Sequence, residues 1–383
     1  MSRFAIFNQF KTIFRKNPDI QNITKDVNNM TRKLYPSSKL MHFNENDYRT
    51  LYRNWGEMGI FNHHESQIDS MTYGMICHSI EKIDSGLRSG YSVQSSLVIN
   101  PIEKFGTEST KKKYLEKLYT GIDVGCFGLT EPDAGSDPGS MKTRAVLKGS
   151  HYVVSGSKTW ITNAPIADTF VIWCKDEEDQ IIGLVSERKE GIVTPTIEDK
   201  TTLMSSPTGM ILMDGLEIPI ENKLMVRGLG GPFHCLNKAR YGISWGVVGA
   251  AEDCLEIAAN YCDQRKQFNR KLSANQMIQK DLVHCITLYN DMLNRSAMGM
   301  NRIESFDDLK QNLEQISMLK RKNCSDALEI ARTTRDILGG NGVSHSYGIV
   351  RHMLNLEAVN TYEGTRNIHD LIVGKILLGV GAF

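Results

Sequence analysis

Proline placement constrains this chain more than any other feature. Its ten prolines fall at positions 18, 36, 101, 132, 138, 165, 195, 207, 219 and 232, so seven lie between 132 and 232 and none follows. Proline has no N–H to give and its ring clashes with the preceding helical turn, so helix interiors exclude it. The stretch after Pro232 is therefore open to long helices, and its pattern agrees. Leu313, Ile316, Leu319, Ala327, Ile330 and Ile337 repeat at helical spacing, with Gly339–Gly340 as a stop. Residues 246–262, rich in Ala, Gly and Leu, read as a further helix.

The proline-rich middle reads as β. Tyr152–Val154, Phe170–Trp173 and Ile181–Val185 are short β-branched or aromatic runs punctuated by Gly, Asp, Ser and Pro. Before it, Met71, Met75, Ile76, Ile80 and Ile83 return to helical periodicity. At roughly 100–200 residues per domain, the 383 residues fit two or three units. The expected architecture is mainly α with a β domain: an N-terminal helical domain over 1–123, a middle β-barrel or sandwich domain over 124–232 and a C-terminal helical bundle over 233–383.

Composition excludes several function classes. Lys+Arg 45 against Asp+Glu 44 gives a net charge of +1, which is not the cation excess of a nucleic-acid binder. No apolar run reaches the length of a membrane span. None of the eight cysteines forms a CxxC pair or a zinc-like spacing with histidine, so buried, inert thiols in a reducing compartment are expected. Near the start, Phe4, Phe7, Phe10 and Phe14 recur among Arg3, Lys11, Arg15 and Lys16 with no acid. This suits an amphipathic first helix better than a transit peptide, because Arg and Ser enrichment is weak.

Four segments have chemical potential. Phe127–Asp137 joins the helical and β regions with two glycines, hydroxyls and a proline, a loop whose backbone can approach a flat or anionic ligand. It lacks G-x-G-x-x-G, so it is no Rossmann fingerprint. Trp160 with Thr162 after a strand can stack on an aromatic cofactor and give a hydrogen bond, though a lone Trp is more often core. Glu363 before Gly364 can sit at a helix break; buried, it would gain the raised pKa of a general base, whereas the commoner reading is a solvated glutamate. Arg265 with Phe268 and Gln276 can grip a pyrophosphate, or be plain surface.

Together and in this order, these pieces resemble the acyl-CoA dehydrogenase family from about residue 24 to Phe383. The resemblance is carried by Asp84–Ser89, Ser92–Val98, Gly125–Pro132, Lys158–Asn163, Gly230–Phe233, Ala239–Gly242, Leu338–Gly342 and Asn355–Thr365. Within the family the chain is most similar to the glutaryl-CoA dehydrogenases, through the Arg88 and Tyr362 segments. The resemblance implies FAD as cofactor. Phe127, Leu129, Thr130, Gly135 and Ser136 would lie along the flavin and ribityl chain, and Trp160, Ile161 and Thr162 at the isoalloxazine. Thr365 and Asn367 would reach the pyrophosphate region, and Arg265, Phe268, Gln276, Asp336, Gly339 and Gly340 the adenine half of a neighbouring subunit's cofactor, in a homotetramer.

Glu363 is then the base that removes the substrate α-proton, with its own backbone N–H and a flavin hydroxyl polarising the thioester carbonyl. Arg88, with Ser89 and with Glu81 two helical turns away if the helix continues, would hold a distal carboxylate; alternatively Arg88 only caps a helix or pairs with Glu81 or Asp84. Phe233, Arg240, Ser136, Tyr362, Gly364 and Phe383 complete the substrate contacts. The implied reaction is oxidation of glutaryl-CoA and decarboxylation to crotonyl-CoA, with an electron-transfer flavoprotein as acceptor, in the cytoplasm of a bacterium or the mitochondrial matrix of a eukaryote. The alternatives are a dehydrogenase of specialised metabolism acting on a carrier-protein-bound or non-decarboxylated acyl thioester, and a flavin-binding protein without activity, which the presence of Glu363 disfavours. The chain departs from the family pattern in a shortened stretch between Asn62 and Tyr73, at Met204 where a basic residue is usual, and at Asn269 where glycine is usual.

Overall fold

The computed structural model describes residues 18–63, 68–300 and 312–381. The N-terminal phenylalanines, the centre of the Asn62–Tyr73 stretch and Phe383 lie outside these.

The first part is helical: α1 (Pro18–Leu34), α2 (Glu45–Glu57), α3 (Ser70–Glu81), α4 (Ser85–Ser92), a π-helical stretch over Val93–Ile99, α5 (Asn100–Phe105) and α6 (Glu108–Tyr119). Side-chain caps set several starts. Asn44 accepts from the Asp47 N–H at the start of α2, and Asp69 from the Thr72 N–H at the start of α3. Asp84 begins α4 by accepting from the Gly86 N–H at 2.8 Å. The chain therefore breaks between Glu81 and Ser85, so the condition under which Glu81 would stand two turns from Arg88 on one helix is not met. An aromatic cluster of Tyr48, Tyr52, Trp55, Phe61, Tyr73 and Tyr91 fills this region.

The middle is one eight-stranded sheet in the order β6-β7-β3-β2-β4-β5-β8, with β1 paired to β4 in parallel. Its strands are β1 (Gly125–Gly128), β2 (Arg144–Lys148), β3 (His151–Thr162), β4 (Thr169–Lys175), β5 (Ile181–Glu187), β6 (Ile192–Val193), β7 (Thr208–Pro219) and β8 (Lys223–Arg227). Apart from β1 with β4 and a single β2–β4 bridge, the pairs are antiparallel.

Helices then return: α7 (Gly230–Gln264), a short hairpin of β9 (Lys266–Gln267) and β10 (Arg270–Lys271), α8 (Gln276–Met300), α9 (Leu313–Ile337), α10 (Ile349–Thr361) and α11 (Arg366–Leu378). At 1.5 Å per residue, the 35 residues of α7 run about 50 Å. Its first half joins the N-terminal core through Tyr241 and Trp245, and its second half joins the C-terminal core through Val247, Cys254 and Ala258. All eight cysteines are buried and free. No helix among the described residues is long and apolar enough to cross a membrane.

Candidate active site

Glu363 lies just past the end of α10, where the chain turns through two successive left-handed residues, Glu363 (φ 52) and Gly364 (φ 102). Glycine tolerates the second position; a Cβ there would stand 3.0 Å from His369 Nε2. A glutamate in the first is strained unless neighbours hold it. Two buried cations do. Arg240, on α7, donates from Nε to the Glu363 carbonyl at 2.8 Å. Lys320, on α9, donates from Nζ to the carbonyls of Tyr362 at 2.9 Å and Gly364 at 2.8 Å. Thr365 then caps α11 by accepting from the Ile368 N–H, and Asn367 is exposed.

Glu363 as a residue is half-buried, but one of its carboxylate oxygens is fully buried. Its Oε2 is sealed from solvent and has no hydrogen-bond partner. Burial pushes its pKa above the usual carboxylate range, against the opposing pull of Arg88, Arg240 and Lys320.

Arg88 on α4 and Glu81 at the end of α3 are both fully buried, with Arg88 Nε 2.6 Å from Glu81 Oε2. The two helices bring them together across the break at Asp84. Gly246 of α7 makes the room: a Cβ there would stand 2.1 Å from Glu81 Oε2 and 3.2 Å from Arg88 Nε. Arg88 Nη2 donates to the Tyr362 hydroxyl, next in sequence to Glu363, and the guanidinium lies over the Tyr362 ring with its carbon 5.8 Å from the centroid. Arg88 Nη1 is buried without a hydrogen-bond partner. Ser89 is buried beside it, and Phe233 is partly exposed near the start of α7.

A second group lies on the sheet. Trp160 occupies a bulge between β3 and β7, with φ 59, and the residue is 61% exposed. It is not a core tryptophan. Its neighbours are fixed from beneath. Thr159 N–H reaches the Thr130 carbonyl at 2.9 Å. Buried Lys158 donates to the Leu129 carbonyl at 3.1 Å and to Glu131 Oε1 at 2.8 Å. Asn163 (φ 69) is buried and ties Tyr48, Tyr52 and the Gly125 carbonyl. Phe127, Leu129 and Ile161 are buried, Thr130 and Thr162 half-buried, Gly135 and Ser136 exposed, and a Cβ at Gly135 would meet nothing within 4 Å. A rigid loop beside an outward indole suits a flat aromatic ligand.

A third group sits at the far end of α7. Phe268 crowns the β9–β10 turn, 94% exposed, between exposed Arg265 and Gln276. The Gly339–Gly340 loop is brought alongside by a hydrogen bond from Asn341 Nδ2 to the Tyr261 hydroxyl at 2.9 Å. Asp336, Gly339 and Gly340 are exposed. Among the described residues no hydrogen bond or ion pair joins this group to the Trp160 group. Three residues that sequence reasoning did not name as site residues, Lys158, Asn163 and Lys320, act on backbone or on buried polar partners, and a fourth, His369, is buried against Gly364.

Comparisons with known proteins agree with the helical, β, helical order of the fold. Family models for the acyl-CoA dehydrogenase N-terminal, middle and C-terminal domains match residues 18–122, 126–216 and 227–378. An acyl-CoA dehydrogenase of Bacillus subtilis is 34% identical over 81% of this chain and 83% of its own. A glutaryl-CoA dehydrogenase of Desulfococcus multivorans is 30% identical over 96% of this chain and 98% of its own. The solved glutaryl-CoA dehydrogenase of Mycobacterium smegmatis in complex with FADH2 superposes with a TM-score of 0.88 at 33% identity, covering 96% of each chain.

Proposed function

The chain belongs to the acyl-CoA dehydrogenase family, and from that premise we propose that it oxidises glutaryl-CoA and decarboxylates the product to crotonyl-CoA. FAD is the cofactor, and it supplies the hydride acceptor for the substrate Cβ when bound. The Phe127–Ser136 loop with Trp160–Thr162 would hold its ring, Thr365 and Asn367 its pyrophosphate region. Arg265, Phe268, Gln276 and Asp336–Gly340 would hold the adenine half from a neighbouring subunit, which makes the active form an oligomer.

The single observation behind the substrate assignment is the unpartnered Nη1 of fully buried Arg88, beside the residue that precedes Glu363. A buried guanidinium donor without an acceptor is costly. A carboxylate at the far end of a five-carbon acyl group satisfies it. Glu81 holds one edge of the guanidinium and Tyr362 receives another, so the free edge has a fixed direction.

Glu363, with its Oε2 sealed from water, removes the Cα proton. Its backbone N–H meets the oxygen of the developing enolate. Once the Cα–Cβ bond is a double bond, the γ-carboxylate is vinylogous to the thioester. Loss of CO2 leaves its electron pair delocalised as a dienolate, and protonated Glu363 returns the proton at Cγ. Arg88 keeps Tyr362 and the carboxylate aligned through these steps. An electron-transfer flavoprotein is the proposed final acceptor.

The test is an anaerobic titration of the purified yellow protein with glutaryl-CoA while CO2 is trapped. Bleaching with CO2 and crotonyl-CoA is the expected result. Bleaching without CO2 would make it a non-decarboxylating dehydrogenase. A flavin that stays yellow with glutaryl-CoA would refute the assignment and point to carrier-bound acyl groups.

A further inference from the structure

Lys320 carries no part of the chemistry described so far, yet it is one of the most buried cations in the protein, at 1% exposure. Its ammonium is held by two backbone carbonyls, those of Tyr362 and Gly364, on either side of Glu363. Arg240 holds the carbonyl between them. Three successive carbonyls are thus gripped by two buried cations. Burying a charge merely to satisfy carbonyls is expensive when neutral donors would serve.

The geometry supplies a reason. A peptide unit is planar and trans, so its C=O and N–H point in opposite directions. With the Tyr362 carbonyl drawn to Lys320, the Glu363 N–H of the same peptide is turned to the opposite side. Among the described residues that N–H has no hydrogen-bond partner. It is a donor kept free at the base itself, in a left-handed residue that would relax if released. An ammonium bonded to one end of a peptide also polarises it and strengthens the donor at the other end.

We propose that Lys320 is a positioning residue that aims and polarises the Glu363 backbone N–H toward the thioester oxygen of the acyl substrate. This rests on the reading of Glu363 as the base, and not on glutaryl as the acyl group.

The test uses the flavin-loaded enzyme, butyryl-CoA as substrate, and acetoacetyl-CoA as a probe. Acetoacetyl-CoA ionises at Cα but carries no hydride at Cβ, so its enolate can be titrated by absorbance without turnover. Removing a whole oxyanion donor costs about 100- to 1000-fold in kcat. Misaiming one should cost about 10- to 100-fold in Lys320→Met, with KM within about threefold. Bound acetoacetyl-CoA should ionise about one pH unit higher than on the wild type, a tenfold loss of enolate stabilisation.

The acid limb of the butyryl profile should also rise in Lys320→Met. One of the charges that restrains the Glu363 pKa has gone, while Arg88, Arg240, Glu81, Tyr362, Cys324 and His369 still face the site. Lys320→Arg should restore most of the enolate signal, and Lys320→Gln, a donor without charge, should fall between. Unchanged kcat and an unchanged acetoacetyl titration in Lys320→Met would overturn the proposal. So would a failure of all three variants to fold with flavin bound, which would make Lys320 a structural strut. A wild type that turns over no acyl thioester would instead bring down the reading of Glu363, and this proposal with it. A failure of glutaryl-CoA alone touches neither.

Discussion

Replacing Arg88 with methionine separates a substrate anchor from a buried strut. The guanidinium and its Glu81 partner are both inaccessible to solvent, 2.6 Å apart. If Nη1 meets the distal carboxylate of glutaryl-CoA, Arg88→Met removes a hydrogen bond to a charged group, worth about 1.5–3 kcal/mol. At 1.36 kcal/mol per factor of ten, kcat/KM for glutaryl-CoA should fall about 10- to 150-fold, while butyryl-CoA changes little. The substitution also strands Glu81. Breaking a buried pair costs about 3–5 kcal/mol, so urea unfolding should show a marked loss. Burial already pushes the Glu81 pKa up with Arg88 present. Without Arg88 it should take up a proton, and the stability loss should shrink at acid pH. The control is Glu81→Met with Arg88→Met. Two methionines in place of a buried ion pair are close to neutral for stability. The double variant should therefore unfold like the wild type yet still favour butyryl-CoA. Equal losses on both substrates in this restored double variant would refute the anchor and leave Arg88 as a strut between α4 and Tyr362.

Glu363→Gln should abolish dehydrogenation, a loss of at least about 100-fold, and raise the melting temperature at neutral pH. The sign follows from burial: a folded pKa above the unfolded one means that stability is lost as pH rises through it, and glutamine does not ionise, so a melting temperature that fails to rise contradicts the reading. Lys158→Met should release flavin on gel filtration and destabilise the fold by about 3–5 kcal/mol, because Glu131, which also accepts from the N–H groups of Lys142 at 2.5 Å and Thr143 at 3.0 Å, is left without its cation. Retained flavin and unchanged unfolding would remove Lys158 from the support of the Trp160 group.

The layering was legible because proline and apolar period act locally. Seven prolines confined to 132–232 mark where helices cannot run, and every strand of the sheet except β1 lies in that interval. Glu363 and Arg88 were legible as a resemblance, since a glutamate before glycine and an arginine in a Ser-rich helix are ordinary alone. The route by which Glu81 reaches Arg88 was not. Spacing of seven suggests two turns of one helix, but Asp84 accepts from the Gly86 N–H and starts a new helix instead. The positive φ of Trp160 was hidden too, because a bulge depends on register with β7 and not on the tryptophan. Lys320 lies 42 positions from Tyr362 and serves main-chain carbonyls, which exist at every residue, so no side-chain pattern could announce it.

That lysine also resolves an apparent conflict in the electrostatics around Glu363. Three cations, Arg88, Arg240 and Lys320, surround Glu363, and three nearby positive charges should hold a carboxylate acidic. The pKa is nevertheless raised, because none of the three bonds the carboxylate. Arg88 is engaged by Glu81 and Tyr362, Arg240 by the Glu363 carbonyl and Lys320 by the carbonyls on either side. His369 adds no fourth charge: burial, with Arg240 and Lys320 beside it, pushes its pKa down to about 3. Each cation is thus directed at the backbone or at a neighbouring side chain, and the carboxylate keeps the desolvation that makes it basic. A direct ion pair to Glu363 would give the opposite outcome, a stable carboxylate too acidic to take a proton from carbon. The same cations therefore fix where Glu363 stands without pairing with its carboxylate.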